Sequence, residues 1–443
     1  MKKWTKNNLF LIITIFIMIL IQFLLLRFVG SKSYVGDEPY YIKFAENTIK
    51  NGIMYPTKSD IYSSYIFSPG YINYLVLLLR CFNNNYSVVL YFNIILNTML
   101  MIEIYIISKN LFNKKTANIA IIIFCCLLSD IGIVMFTLSD LPFCVCAYGA
   151  VAVSLSNKKC GMAAAGVLLV LANWIRPFLI PFLIAILFII FLKKYSYKKI
   201  IYFAVGLTLT IGIIGLSEYL SFGYFNYYST TSGANLIMGA NDDANGAFNP
   251  VVFNKGKIGH IPGSNWTFIQ KNDYWTKSAV NWIKENPVKY VKLLPKKIIY
   301  TYATDTTFAY GLIGKSEANI SISEIKNNFR NLISGNFSEI KSVSLIKDMI
   351  IIFNQSFYLL LLLFAVSGAF YMVKIKKYEC LIFLSIIVLG SGMTVITVGN
   401  NRYHYPFIMS FIIIASFYIK SLFDMRLHKK PRTVSNLYKT ESD

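Results

Sequence analysis

The chain reads as an all-α polytopic membrane protein, and three observations carry that reading. Of its 443 residues 56% are hydrophobic and only 14% are charged, with a mean hydropathy of +0.53. That apolar share lies well above that of a soluble domain. The apolar residues gather in runs approaching 20, about the length needed to cross a bilayer. The lysines cluster in short loops between those runs, which is how membrane topology is encoded. A net charge of +22 would otherwise invite a nucleic-acid partner, and this placement argues against one.

Ten runs can be placed, near 9–28, 88–108, 117–135, 141–156, 161–175, 177–193, 199–220, 349–373, 379–398 and 403–423. The first is long enough to span and has no small-residue cleavage site behind it, so a retained anchor is expected. Lys2, Lys3 and Lys6 precede it. Lys109, Lys114 and Lys115 follow the second run, Lys158 and Lys159 the fourth, and Lys193, Lys194, Lys198 and Lys199 the sixth. Lys374, Lys376 and Lys377 follow the eighth, and Arg426, Lys429, Lys430 and Arg432 the last. With ten spans all of these share one side, so both termini are expected in the cytoplasm.

The chain then divides into a membrane module at 1–220 with a first outer loop at 29–87, and a large outer loop at 221–348. Membrane helices at 349–425 and a basic tail at 426–443 complete it. In the first outer loop, Ser68 to Leu79 is semi-apolar and too short to span, which suits an interfacial helix. The large loop is rich in Asn, Ser, Thr, Gly and Tyr, as a folded polar segment would be. Within it, 290–311 is moderately apolar but carries Lys292, Lys296 and Lys297, an amphipathic interfacial pattern. No internal repeat or matching pair of broken helices favours a transporter. The seven cysteines lack metal-ligand spacing, and Cys125, Cys126, Cys144 and Cys146 read as small buried hydrophobes.

Polar residues collect where the runs surface on the outer side. Asp37 and Glu38 follow the first run directly, and carboxylates beside hydrocarbon need a reason to be there. Asp140 stands between the third and fourth runs, where it also suits a helix N-cap ahead of Pro142. Arg176 and Arg402 lie at outer exits against the charge trend. Each suits either headgroup snorkelling or a fork for a phosphate. Carboxylates can deprotonate a hydroxyl, and arginines can neutralise a phosphate leaving group. Chemistry on a polyprenyl-phosphate donor needs that combination. An ion-coupled carrier would more often place its charges at the midplane, and the long runs here are nearly free of them, with Glu103 and Glu218 the exceptions.

Read in order, these elements resemble the integral-membrane glycosyltransferases of the GT-C fold. The branch they look like is family 39, the protein O-mannosyltransferases with bacterial relatives such as the aminoarabinose transferases that modify lipid A. The resemblance rests on Gly36-Asp37-Glu38 with Tyr40-Tyr41, on Pro69 to Tyr71, and on Ser139 to Phe143. It continues through Arg176-Pro177 with Pro181, Asn235 to Asn241 with Ala244-Asn245-Gly246, and Arg402-Tyr403 with Pro406.

The resemblance implies a GT-C-like bundle of about ten transmembrane helices. It also implies an inverting transfer of a sugar from a polyprenyl phosphate to a hydroxyl of a protein, lipid or glycan. Asp37 takes the role of general base, with Glu38 tuning it or holding the acceptor, and Asp140 helps form the pocket. Arg402 and Arg176 would contact the donor phosphate. Tyr40, Tyr71, Asn235, Asn241, Asn245, Tyr403 and His404 would line the substrate cleft, although the Asn/Gly stretch also suits a tight turn. No cofactor beyond the lipid-linked donor is expected, and no metal, because no His/Asp/Glu cluster has metal spacing. Two departures stand out. Ser68-Pro69-Gly70 replaces the His-Pro-Pro common in relatives, and the Trp-Trp-Asp motif of the metal-using oligosaccharyltransferase branch does not occur. The alternatives are a carrier or flippase for a lipid-linked or polar solute, and a surface-glycan polymerase or ligase.

Overall fold

A computed structural model describes residues 2–30, 34–57, 68–263, 266–314 and 342–428. The tail residues Lys429, Lys430 and Arg432, and 315–341 of the large loop, lie outside them. Among the described residues the architecture is helical, and the β-type pairing is a single bridge between Ala247 and Gly399.

The helices in chain order are α1 (Lys2–Phe28), α2 (Glu38–Lys50), α3 (Pro69–Cys81), α4 (Ser87–Leu111), α5 (Lys114–Cys126) and α6 (Leu128–Gly132). They continue as α7 (Asp140–Ser154), α8 (Lys159–Ile175), α9 (Leu179–Leu192), α10 (Tyr197–Phe222) and α11 (Ser232–Gly239). The last are α12 (Phe268–Glu285), α13 (Pro287–Tyr302), α14 (Ser342–Lys374), α15 (Cys380–Thr397) and α16 (Tyr405–His428). All ten apolar runs are helical, but not all are long enough to cross. Among the described residues, six helices are long and apolar enough, or seven if the bent pair formed by α5 and 128–135 is one span. That pair breaks by 69°.

Three of the ten expected spans fall short. α7, α8 and α9 have 15, 17 and 14 residues, against the roughly 20 that a crossing takes. α7 is nearly all buried, packed among α4, α8 and α9. Its neighbours, rather than lipid, cover it, so its apolar length reports burial. The outer helices behave oppositely: Phe16 and Phe28 of α1 and Leu209 and Leu220 of α10 are exposed. Apolar faces of this kind suit a hydrocarbon surrounding.

The short helix expected at Ser68 to Leu79 forms as α3, though much of it is inside the bundle. Tyr71, Ile72, Leu75, Val76 and Leu79 are buried in the core. Gly70 makes the close approach achievable, since a Cβ there would come within 2.8 Å of the Trp174 backbone. The large loop is likewise more ordered than a polar loop suggests. α11, α12 and α13 build a second core around Ile237, Met238, Val252, Trp275 and Trp282.

Candidate active site

Helix α2 begins immediately after Gly36, whose φ of +61° turns the chain in a conformation suited to glycine. Asp37 occupies the N-cap of α2 but makes no side-chain capping bond. Its carboxylate instead accepts from Arg402, Nη1 to Oδ2 at 2.6 Å. Glu38 does the local work. Its Oε2 accepts from Val35 N at 2.8 Å and its Oε1 from Thr137 N at 2.5 Å. The side chain is fully buried, so Glu38 ties the start of α2 to the segment leading into α7.

Asp140 is the first residue of α7, with Ser139 as N-cap. The capping role expected of Asp140 is not what the structure shows, since its oxygens are held elsewhere. Oδ1 accepts from Arg176 Nη1, and Oδ2 from Arg402 Nε and Nη2, both at 2.7 Å. Arg176 lies in extended backbone just past α8, and Arg402 in an Asn-started turn where its N–H donates to Asn400 Oδ1 at 2.9 Å. Two arginines and two aspartates thus form one nearly enclosed, formally neutral cluster. Burial works against the charge on Arg402, yet Asp140 and Asp37 overcome it and hold its pKa well above the ordinary value.

A cavity of about 830 Å³, its open mouth included, lies over this cluster. Asp37, Arg176, Asn235, Arg402 and Tyr403 line it, along with Tyr41, Ser68, Ser139, Ser229 and Thr397. Tyr403 donates to Asn235 Oδ1 at 3.3 Å, and its ring centroid is 5.7 Å from the Arg176 guanidinium carbon. Burial, with the charge of Asp37 behind it, pushes the Tyr403 phenol up to about 12, so it stays a donor. The hydroxyls of Tyr41, Ser68 and Ser229 form a chain across one wall, at 3.5 and 2.9 Å.

The other expected cleft residues lie elsewhere. Tyr40 points outward and is exposed. Tyr71 is buried behind the wall, edge-on to Tyr41 with centroids 4.7 Å apart. Asn241 caps its own turn, donating to Ile237 O and Met238 O, and Asn245 Oδ1 accepts from Ala247 N. These two fit the tight-turn alternative. His404 faces a different buried group, with Nδ1 donating to Thr301 O at 2.7 Å and Nε2 3.3 Å from Asp305 Oδ1. Tyr41, Ser68 and Ser139 stood in the quoted motifs without a site role, and Ser229 was not named at all. Tyr41 could have been found by helical spacing, because it stands four residues after Asp37 and shares its face.

A divalent metal would need hard oxygen ligands in this cluster. A cation of that kind ligates free carboxylate oxygens, and here guanidiniums occupy both oxygens of Asp140 and one of Asp37. Among the described residues, no group of three or more His, Cys, Asp or Glu side chains is placed to hold a metal ion.

No family model and no curated protein matches the chain. Among solved structures it is similar to the Archaeoglobus fulgidus oligosaccharyltransferase in the apo form, with a TM-score of 0.52 and 14% identity over 95% of this chain and 51% of that one. The same enzyme tethered with an acceptor peptide containing the NVT sequon matches with a TM-score of 0.50 and 15% identity, over 96% and 51%. Archaeal oligosaccharyltransferase AglB from Archaeoglobus fulgidus, in complex with an inhibitory peptide and a dolichol-phosphate, matches with 0.50 and 13%, over 99% and 53%. The chain therefore spans about half the length of the solved structures it matches. The likeness falls on the branch whose motif is missing here, and it does not single out family 39. At this identity the common ground is architecture: the described residues form a helical bundle similar to the GT-C membrane fold.

Proposed function

We propose that the chain is an inverting glycosyltransferase that moves a sugar from a polyprenyl-phosphate donor to a hydroxyl acceptor on the outer face of the membrane. The supporting observation is the single cavity into which Asp37, Arg176 and Arg402 all open. A base and a phosphate-binding pair on one wall are what that reaction requires.

In this reading Asp37 takes the proton of the acceptor hydroxyl as its oxygen attacks the anomeric carbon. The new carbon–oxygen bond forms opposite the leaving group. The bond from that carbon to the phosphate oxygen breaks, and its electron pair stays on the phosphate. Arg402 and Arg176 hold the charge that develops there. Ser68, Ser139 and Ser229 offer hydroxyls to the sugar or acceptor, and Tyr403 a donor. Apolar grooves between helices hold the prenyl chain, and the described part of the large outer loop, 221–263 and 266–314, caps the cleft and selects the acceptor. The topology that accompanies this reading keeps ten membrane-embedded segments, both termini cytoplasmic and the site outside. Ile, Asn and Lys usage favours an undecaprenyl over a dolichyl carrier.

Purified protein incubated with a panel of polyprenyl-phosphate sugars tests the reading. Acceptor-dependent release of the polyprenyl phosphate is the expected result. Donors returned intact across the panel, with solute carried across the membrane instead, would make the chain a carrier.

A further inference from the structure

Each nitrogen of the Arg402 guanidinium is engaged by a carboxylate of the site: Nε and Nη2 by Asp140 and Nη1 by Asp37. That takes three of its five N–H donors and leaves one on each of Nη1 and Nη2. A phosphate gains the Nε side of the fork, or both donors of Nη1, only where a partner gives way. The two partners are not equivalent. Asp140 is fully enclosed, opens α7, and is gripped from its other oxygen by Arg176. Asp37 is 27% exposed in its side chain, lines the cavity, and stands at the N-cap of a helix it does not cap. Losing Arg402 would leave Asp140 buried on Arg176 alone, whereas Asp37 has solvent to turn to. Asp37 is the contact that yields.

Charge points the same way. Two arginines and two aspartates sum to zero, so the resting cluster attracts an anion only as far as it can shed one of its own. The carboxylate that would take the acceptor's proton is the one that Arg402 engages, through Oδ2. We propose that Asp37 is the resident counter-anion of the phosphate site. The donor phosphate displaces it from Arg402, and that displacement frees the base. This rests on the glycosyltransferase reading and adds an order of events. Without a phosphate in the cavity the base is engaged, and a lipid with a neutral head does not release it.

Binding of undecaprenyl phosphate, which carries no sugar to transfer, tests this without turnover. Undecaprenol serves as the neutral control, and unfolding midpoints establish that each variant is folded. Asp37→Asn and Asp37→Ser are expected to bind the phosphate more tightly, on the order of tenfold, the scale of one charge-assisted hydrogen bond. Undecaprenol affinity stays unchanged, and Arg402→Lys binds the phosphate more weakly. Equal or weaker phosphate binding by both Asp37 variants, with Arg402→Lys still impaired, overturns the counter-anion role and leaves the phosphate site standing. Phosphate affinity indifferent to all three substitutions overturns the site itself. The unmodified protein gives an independent check. In its complex with undecaprenyl phosphate, separation of Asp37 from Arg402 beyond about 4 Å supports displacement. A contact kept at 2.6 Å refutes it.

Discussion

Asp37 and Glu38 are adjacent carboxylates with different surroundings, and the start of a helix separates them. One position along the chain rotates a side chain by about 100°. Asp37 is thereby turned to the cavity, and Glu38 toward backbone N–H groups of its own turn and of the segment before α7. The same geometry explains Tyr40 and Tyr41. Asp140 carries the most structural weight of the cluster, since it alone separates two guanidiniums in an enclosed place. Asp140→Asn keeps the shape but leaves two positive charges facing a neutral amide. Breaking a buried pair in this way costs about 3–5 kcal/mol. A markedly lower unfolding midpoint in detergent is therefore expected for this variant, and a midpoint unchanged from the native protein would show that solvent reaches the cluster.

At the scale of elements, α13 holds the cavity's rear wall against α15 through a buried lysine. Lys297 donates from Nζ to Ile396 O at 3.2 Å, one of the carbonyls left open at the C-terminus of α15, and lies 4.5 Å from the Tyr290 ring centroid. Burial brings its pKa down to about 8. Between that value and the ordinary lysine value of about 10.4, the unfolded chain binds more protons than the folded one. Stability therefore rises with pH across the window from about 8 to about 10, by about 2 kcal/mol. Unfolding midpoints measured through that window should climb in the native protein and climb less steeply in Lys297→Met, where Lys271, also brought down to about 8 by burial, still contributes; parallel profiles would remove Lys297 as a cause. The helices themselves were legible as ten apolar runs, because burial in protein and burial in lipid select the same residues. For that reason α7, α8 and α9 could not be told from full spans by composition alone. α12 was missed because its composition is polar, although Thr267 and Gln270 form a capping box that marks its start.

For the whole molecule, the pairing of distant segments was legible only as position. Asp37, Asp140, Arg176 and Arg402 were each singled out by standing at a helix exit. That they converge on one cluster depends on how α2, α7, α8 and the turn before α16 pack, which periodicity does not encode. His404 shows the limit of the same reasoning, for it follows the site arginine by two residues yet serves a separate buried group with Asp305. The similarity to oligosaccharyltransferases extends to the membrane bundle, and the chemistry assigned here rests on the cluster and its cavity. The most direct test is sugar transfer by purified Asp37→Asn with a donor that the native protein consumes. Transfer is expected to fall by about 10²–10⁴-fold, the contribution of a positioned base, while the variant stays folded with a midpoint lowered less than that of Asp140→Asn. Transfer at the native rate by the folded variant would contradict Asp37 as the base and the function built on it.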